Sequence, residues 1–212
     1  MSTVDRIISH KMIGILRGYD TKEALDIAET LISNDFNVLE VALNSPDAKE
    51  TLRRIKAAYG HEVLLGAGTV LTVDEAKECM DIGAEFLLSP VYNAQVLQFS
   101  KENGMLYIPG CYSPTEIYHA YESGAEMIKV FPANQLKPSY IKDVLAPMND
   151  LVLLPTGGVT PDNINEFLRF GAQAVGINSA LVPKRSEVDD ALLDEVKERV
   201  QSFKGAIKQN ED

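Results

Sequence analysis

Apolar residues along this chain fall into short continuous runs, separated by stretches in which they recur at helical spacing. The first run, Met12-Ile13-Gly14-Ile15-Leu16, ends at Arg17-Gly18, after which Asp20 or Thr21 can cap a helix reaching residue 31. The same strand-then-helix unit recurs. A run over 36–43 precedes a helix opened by Ser45-Pro46 and reaching 58, the serine suiting the cap and the proline the first turn. Runs at 63–66, 85–89 and 106–108 precede helices at 72–80, at 93–102 and from Ser113-Pro114 to 122. A sixth run, 126–132, precedes a helix over 139–145, and a seventh, 151–154, precedes one capped by Thr160-Pro161 and reaching 170. The eighth run, 174–177, leads to an amphipathic helix from about 187 to 207. Ahead of all of these, residues 2–10 place Val4, Ile7 and Ile8 on one side of a short helix, which suits a lid or plug.

Strands that are apolar throughout, rather than alternating, belong in a parallel sheet covered on both faces. Eight such units predict a (β/α)8 barrel of the TIM type with an additional N-terminal helix, formed as one domain over 1–212; an open doubly wound sheet is the alternative. In a barrel the functional groups come from the C-terminal ends of the strands. Glycine corners such as Ile82-Gly83-Ala84 and Phe170-Gly171-Ala172 end helices and fall on the opposite, stabilising face.

Composition narrows the function. A formal charge of −11 and a pI near 4.8 leave no basic surface for nucleic acid or an anionic membrane, so an anionic ligand needs a local positive site. No basic leader or membrane-length apolar run is present in the sequence, and a cytoplasmic location is expected. Cys79 and Cys111 have no metal or disulfide spacing and read as packing residues. His10, His61 and His119 lie far apart, with no second histidine or cysteine at ligand spacing, so no bound catalytic metal is expected.

The most informative stretch is Glu126-Met127-Ile128-Lys129-Val130-Phe131-Pro132, an apolar strand with a lysine at its centre. A desolvated lysine loses basicity and becomes a nucleophilic amine, although a lysine at a strand end can also reach water. Glu40, within Val38-Leu39-Glu40-Val41-Ala42-Leu43, is the matching oddity. Strand alternation puts Val38, Glu40 and Ala42 on one face, and Met127, Lys129 and Phe131 on one face of theirs. If both faces point inward, the pair forms either a buried salt bridge or an amine with a proton-transfer partner. The remaining residues of the rim are Arg17, Asn44, Thr69, Ser89-Pro90, Cys111, Thr156 and Ser179. Pro155-Thr156-Gly157-Gly158-Val159-Thr160-Pro161 reads as a phosphate loop running into a helix N-terminus, or as an ordinary tight turn; Ser179 after the eighth strand would complete the cradle. Gly66-Ala67-Gly68-Thr69 could admit a carboxylate, and Arg17 offers a bidentate cation.

These segments, with Ile15-Leu16-Arg17-Gly18, Leu88-Ser89-Pro90, Ile108-Pro109-Gly110 and Ile128-Lys129-Val130-Phe131-Pro132-Ala133, occur in the order found in the 2-keto-3-deoxy-6-phosphogluconate (KDPG) / 4-hydroxy-2-oxoglutarate (KHG) aldolase family, which the chain resembles over nearly its whole length. The resemblance implies a class I aldolase, a lyase, usually a homotrimer, working without a cofactor on a phosphorylated 2-keto-3-deoxy sugar acid to give pyruvate. It implies that Lys129 is the Schiff-base lysine and Glu40 the general acid/base. It also implies that Thr69 and Pro90 hold the pyruvyl carboxylate, Arg17 pairs with substrate anions, Gly157, Gly158 and Ser179 bind phosphate, and Thr156 reads the C4 hydroxyl. Asn44, in Leu43-Asn44-Ser45-Pro46, instead resembles the 6-phosphogalactonate branch, while Thr156 resembles the gluconate branch. A phosphosugar epimerase or isomerase and a non-catalytic phosphosugar-binding module are the more distant alternatives.

Overall fold

The protein, seen as a computed structural model, is described over residues 1–185 and 187–208. Nine short strands, β1 (Met12–Leu16), β2 (Val38–Ala42), β3 (Leu64–Gly68), β4 (Phe86–Leu88), β5 (Leu106–Ile108), β6 (Gly110–Cys111), β7 (Ile128–Val130), β8 (Leu153–Pro155) and β9 (Val175–Ile177), carry the fold. Around them lie helices α1 (Thr3–His10), α2 (Thr21–Ser33), α3 (Ala48–Tyr59), α4 (Val73–Ile82), α5 (Ala94–Glu102), α6 (Pro114–Glu122), α7 (Ser139–Leu145), α8 (Ile164–Arg169) and α9 (Asp190–Lys208). None of these helices is long and apolar enough to cross a membrane.

All strand pairs are parallel, in a six-stranded order β5-β4-β3-β2-β1-β9 and a three-stranded order β6-β7-β8. The last strand lies beside the first, with Ile13 opposite Gly176, in a curled parallel sheet. The fifth predicted strand, 106–108, is found as β5, and an unpredicted two-residue continuation, β6, follows Pro109, which has no N–H to continue the ladder. β5 pairs with β4 and β6 with β7, which makes one seam between the sheets. The other seam is a single parallel bridge between Thr156 and Gly176.

The pleat sorts the strand residues into two cores. Ile13, Val38, Leu64, Phe86, Leu106, Met127, Leu154 and Ala174 pack together on the concave side. Leu39, Leu65, Leu87, Tyr107, Ile128, Leu153 and Val175, each next to one of these in sequence, pack outward against the helices. Helix α1 is the predicted plug: fully buried Ile7 enters the concave core, and Arg6 reaches Glu85 at 3.0 Å. Glu85 also takes Lys56 of α3 at 3.1 Å, tying the plug to the helical layer.

Helix starts are where the fold departs most from the predicted pattern. Asp20, Thr72 and Ser113 form capping boxes, and Asn93 accepts from the amides of Gln95 and Val96. Ser45 caps nothing; its Oγ accepts the Gly18 amide at 2.9 Å, and α3 begins only at Ala48, after Asp47 at φ 48°. Nor does Thr160 open a helix. Its amide donates to Asn163 Oδ1 at 2.8 Å, closing a turn that delays α8 until Ile164. The last helix starts at Asp190 rather than 187, because Asp189 supplies the cap by accepting from the Leu192 amide at 2.8 Å.

Candidate active site

Lys129 of β7 and Glu40 of β2 both point to the concave side, each two residues beyond a member of the concave core, Met127 and Val38. Lys129 is 1% exposed and Glu40 0%. Neither Glu40 carboxylate oxygen has a hydrogen-bond partner. Glu40 pairs in register with Gly66, yet its carboxylate leans toward the C-terminal rim and lies over Gly68, where a Cβ would fall 1.6 Å from Oε1.

Burial also governs the charges. It pushes the Lys129 amine below the usual lysine range; Glu40 opposes that shift and the Arg17 charge adds to it. The same burial pushes Glu40 above the usual carboxylate range, against the opposing charges of Lys129 and then Arg17. Each group is thus moved toward its neutral form, which suits a nucleophilic amine beside a carboxyl that can both give and take a proton. The Phe131 ring lies 4.8 Å from Lys129 Nζ, an apolar wall that any ammonium there must face.

Around this pair the rim supplies polar groups from five strand ends. Arg17 Nε is buried and unpartnered, and Arg17 lines a cavity of about 320 Å³ with Asn44, Asn178 and Ser179. Thr69 donates to Asn44 Oδ1 at 3.4 Å and sits at φ 61°, a conformation that costs a β-branched residue about 1–3 kcal/mol. The Thr156 backbone is fixed on both sides, its amide donating to the Val130 carbonyl at 3.0 Å and its carbonyl accepting from Ala133 at 2.9 Å. Its hydroxyl is buried without a partner and occupies the space left by Gly176, where a Cβ would lie 2.4 Å from Oγ1. Pro90 is brought against the lysine strand by Gly110, whose missing Cβ would strike the Pro90 carbonyl at 2.4 Å and which pairs in register with Lys129.

Not every predicted site residue gathers in one place. Gly157 and Gly158, at φ 102° and 72°, do not line the Arg17 cavity; they turn against Ala133 and Asn134. The predicted helix N-terminus behind them is also displaced, since α8 has six residues and begins at Ile164. Cys111 is packing, as expected: its thiol donates weakly to the Glu116 carbonyl at 3.5 Å, and burial pushes its pKa up to about 12. The reading of the sequence missed Gly68 and Gly176 as spacers for Glu40 and Thr156. Their small size was visible, but only the pairing shows what fills the space.

The sequence pattern for aldolases, described as "KDPG and KHG aldolase", matches residues 4–198, which makes the protein an aldolase and so a carbon–carbon lyase. The chain belongs to the KDPG and KHG aldolase family. It is 34% identical over 171 residues to the 2-dehydro-3-deoxy-6-phosphogalactonate aldolase of Escherichia coli K12, covering 80% of this chain and 83% of that one. It is also 34% identical over 166 residues to the 2-dehydro-3-deoxy-phosphogluconate aldolase of Treponema pallidum, covering 78% and 79%. Its fold matches, with a TM-score of 0.84, 25% identity and coverage of 97% and 98%, the KDPG aldolase of Legionella pneumophila, whose structure holds pyruvate captured at low pH as a covalent carbinolamine.

Proposed function

We propose that the protein cleaves 2-keto-3-deoxy-6-phosphogluconate to pyruvate and glyceraldehyde 3-phosphate through a Schiff base on Lys129. The observation that carries this reading is the buried Lys129–Glu40 pair, with the amine shifted toward neutrality and both carboxylate oxygens unpartnered. Neutral Lys129 attacks the C2 ketone to form a carbinolamine. Glu40 gives the proton on which that hydroxyl leaves as water, and an iminium remains. Glu40, now a carboxylate, takes the proton of the C4 hydroxyl; the C3–C4 bond breaks, the C4 aldehyde departs, and the bonding electrons pass into the iminium as an enamine. Protonation at C3 and hydrolysis then release pyruvate and restore the amine. The carbinolamine in the related Legionella enzyme supports the first step.

Thr69 and Pro90 are assigned to the pyruvyl carboxylate. Arg17, Gly157, Gly158 and Ser179 are assigned to the phosphorylated end and the remaining anionic charge, and Thr156 to the C4 hydroxyl. Thr156, which resembles the gluconate branch, biases the reading toward that epimer, and its hydroxyl has no partner among the described residues. A second reading, cleavage of the 6-phosphogalactonate epimer, is favoured by Asn44, which lines the Arg17 cavity and is fixed there by Thr69. Cleavage of 4-hydroxy-2-oxoglutarate to pyruvate and glyoxylate needs the same pair and no phosphate loop.

The same proposal treats 1–212 as one domain, with the two sheets closed into a (β/α)8 barrel through the Pro109 and Thr156–Gly176 seams, assembled as a cytoplasmic homotrimer. Release of pyruvate, coupled to lactate dehydrogenase, from the two C4-epimeric phosphosugar acids tests the activity and ranks the substrates. Binding without pyruvate release would indicate a non-catalytic module. Epimerisation without it would indicate an isomerase.

A further inference from the structure

We propose that Lys184, on the loop between β9 and α9, is a second cation for the substrate's phosphate, facing Arg17 across the rim cavity. This inference rests on the aldolase reading above. The cavity of about 320 Å³ is lined by Arg17, Asn44, Asn178, Ser179 and Lys184, with Ile15, Gly18, Tyr19 and Val182 completing it. Thirty-one acidic residues against 20 basic ones make the chain strongly acidic, yet none of these lining residues is a carboxylate. Two cations, two amides and a hydroxyl in such a setting match an anion carrying several acceptor oxygens.

The loop that carries Lys184 is held at both ends of its first turn. Tyr19 OH donates to the Pro183 carbonyl at 3.0 Å, one residue before Lys184. Arg199 of α9 donates to the carbonyls of Ser179 and Ala180 at 3.1 and 2.8 Å, and is itself paired with Glu195 at 2.7 Å. Tyr19 and Arg17 lie on the same β1–α2 loop, so the Tyr19–Pro183 bond ties the backbone next to Lys184 to the loop that carries Arg17. Other basic residues nearby are committed to protein partners. Arg185 and Arg199 both pair with Glu195, whereas Lys184 is exposed and makes no hydrogen bond or ion pair with a described residue. Ser179, assigned to the phosphate, lies in the same cavity as Arg17 and Lys184, so the serine and the two basic residues border one ligand volume.

The test compares Lys184→Ala, Lys184→Arg and wild type on the phosphorylated substrate and on 4-hydroxy-2-oxoglutarate, which has no phosphate, at low and high salt. For Lys184→Ala the proposal expects KM for the phosphorylated substrate to rise about fivefold at low salt, the scale of one solvent-exposed ion pair, with kcat little changed. The rise should shrink at high salt, Lys184→Arg should restore most of the loss, and the phosphate-free substrate should be unaffected. Equal effects on both substrates, or none on either, would overturn the role of Lys184 while leaving the aldolase reading intact. A wild type that released pyruvate from neither substrate would overturn the aldolase reading itself.

Discussion

The Glu40 carboxylate occupies the space of the side chain that Gly68, on the adjacent strand, does not have. A Cβ at Gly68 would lie 1.6 Å from Oε1, 2.3 Å from Cδ and 2.7 Å from Cγ, so most of the glutamate side chain would have to move. Gly68→Ala therefore tests whether the position of Glu40 matters as well as its presence. Displacing a proton-transfer group by about 1 Å costs on the order of a hundredfold in kcat, and that loss is expected here in a variant that still folds. Retention of wild-type kcat would show that Glu40 has no required position.

The charges around Lys129 give signed shifts. Its amine must be neutral to attack, so kcat/KM rises with pH as Lys129 loses its proton, with a midpoint below the ordinary 10.5. Glu40 raises that midpoint and Arg17 lowers it. Glu40→Gln should therefore move the midpoint for Schiff-base formation to lower pH, and Arg17→Met should move it to higher pH. The rate of pyruvate trapping as a function of pH checks both signs independently of turnover.

Thr156 and Gly176 form a second pair in which one residue fills the other's space. Thr156→Val should weaken discrimination between the C4 epimers about fivefold, the worth of one neutral hydrogen bond. Gly176→Ala should do the same with Thr156 intact, because the new Cβ would fall 2.4 Å from Oγ1. An epimer ratio unchanged in both variants would remove Thr156 from substrate reading.

The plug makes a prediction about stability alone. Ile7 is fully buried in the concave core, on the side away from the strand ends that carry Lys129 and Glu40. Ile7→Ala should cost about 2–4 kcal/mol in denaturant unfolding while leaving kcat at 25 °C within about twofold of wild type, since it empties space without touching the rim. Loss of activity in proportion to stability would indicate that α1 positions the site as well as sealing the fold.

How much of this was legible in the sequence depended on the kind of residue. Lys129 and Glu40 stood out because an ionisable group in an apolar run has few uses; the pleat placed each on one face of its strand, and the structure turns both faces inward. Strand order was partly legible: the repeated units predicted the curl, but nothing short of the coordinates places the break at Pro109 between two neighbours. Ser45 and Thr160 misled for a physical reason. A hydroxyl before proline looks the same whether it caps the next helix or its segment turns to serve a distant group, and here Ser45 accepts from Gly18 while Thr160 enters a turn closed by Asn163. The glycines at 68 and 176 were hidden because a missing side chain states that room is needed without saying for what.

The covalent bond to substrate is assigned to Lys129. Borohydride reduction in the presence of pyruvate, followed by peptide mass mapping, tests it most directly. A reduced pyruvyl adduct is expected on the peptide containing Lys129, dependent on pyruvate and absent, along with activity, in Lys129→Ala. An adduct on another lysine, or cleavage retained by Lys129→Ala, would contradict it.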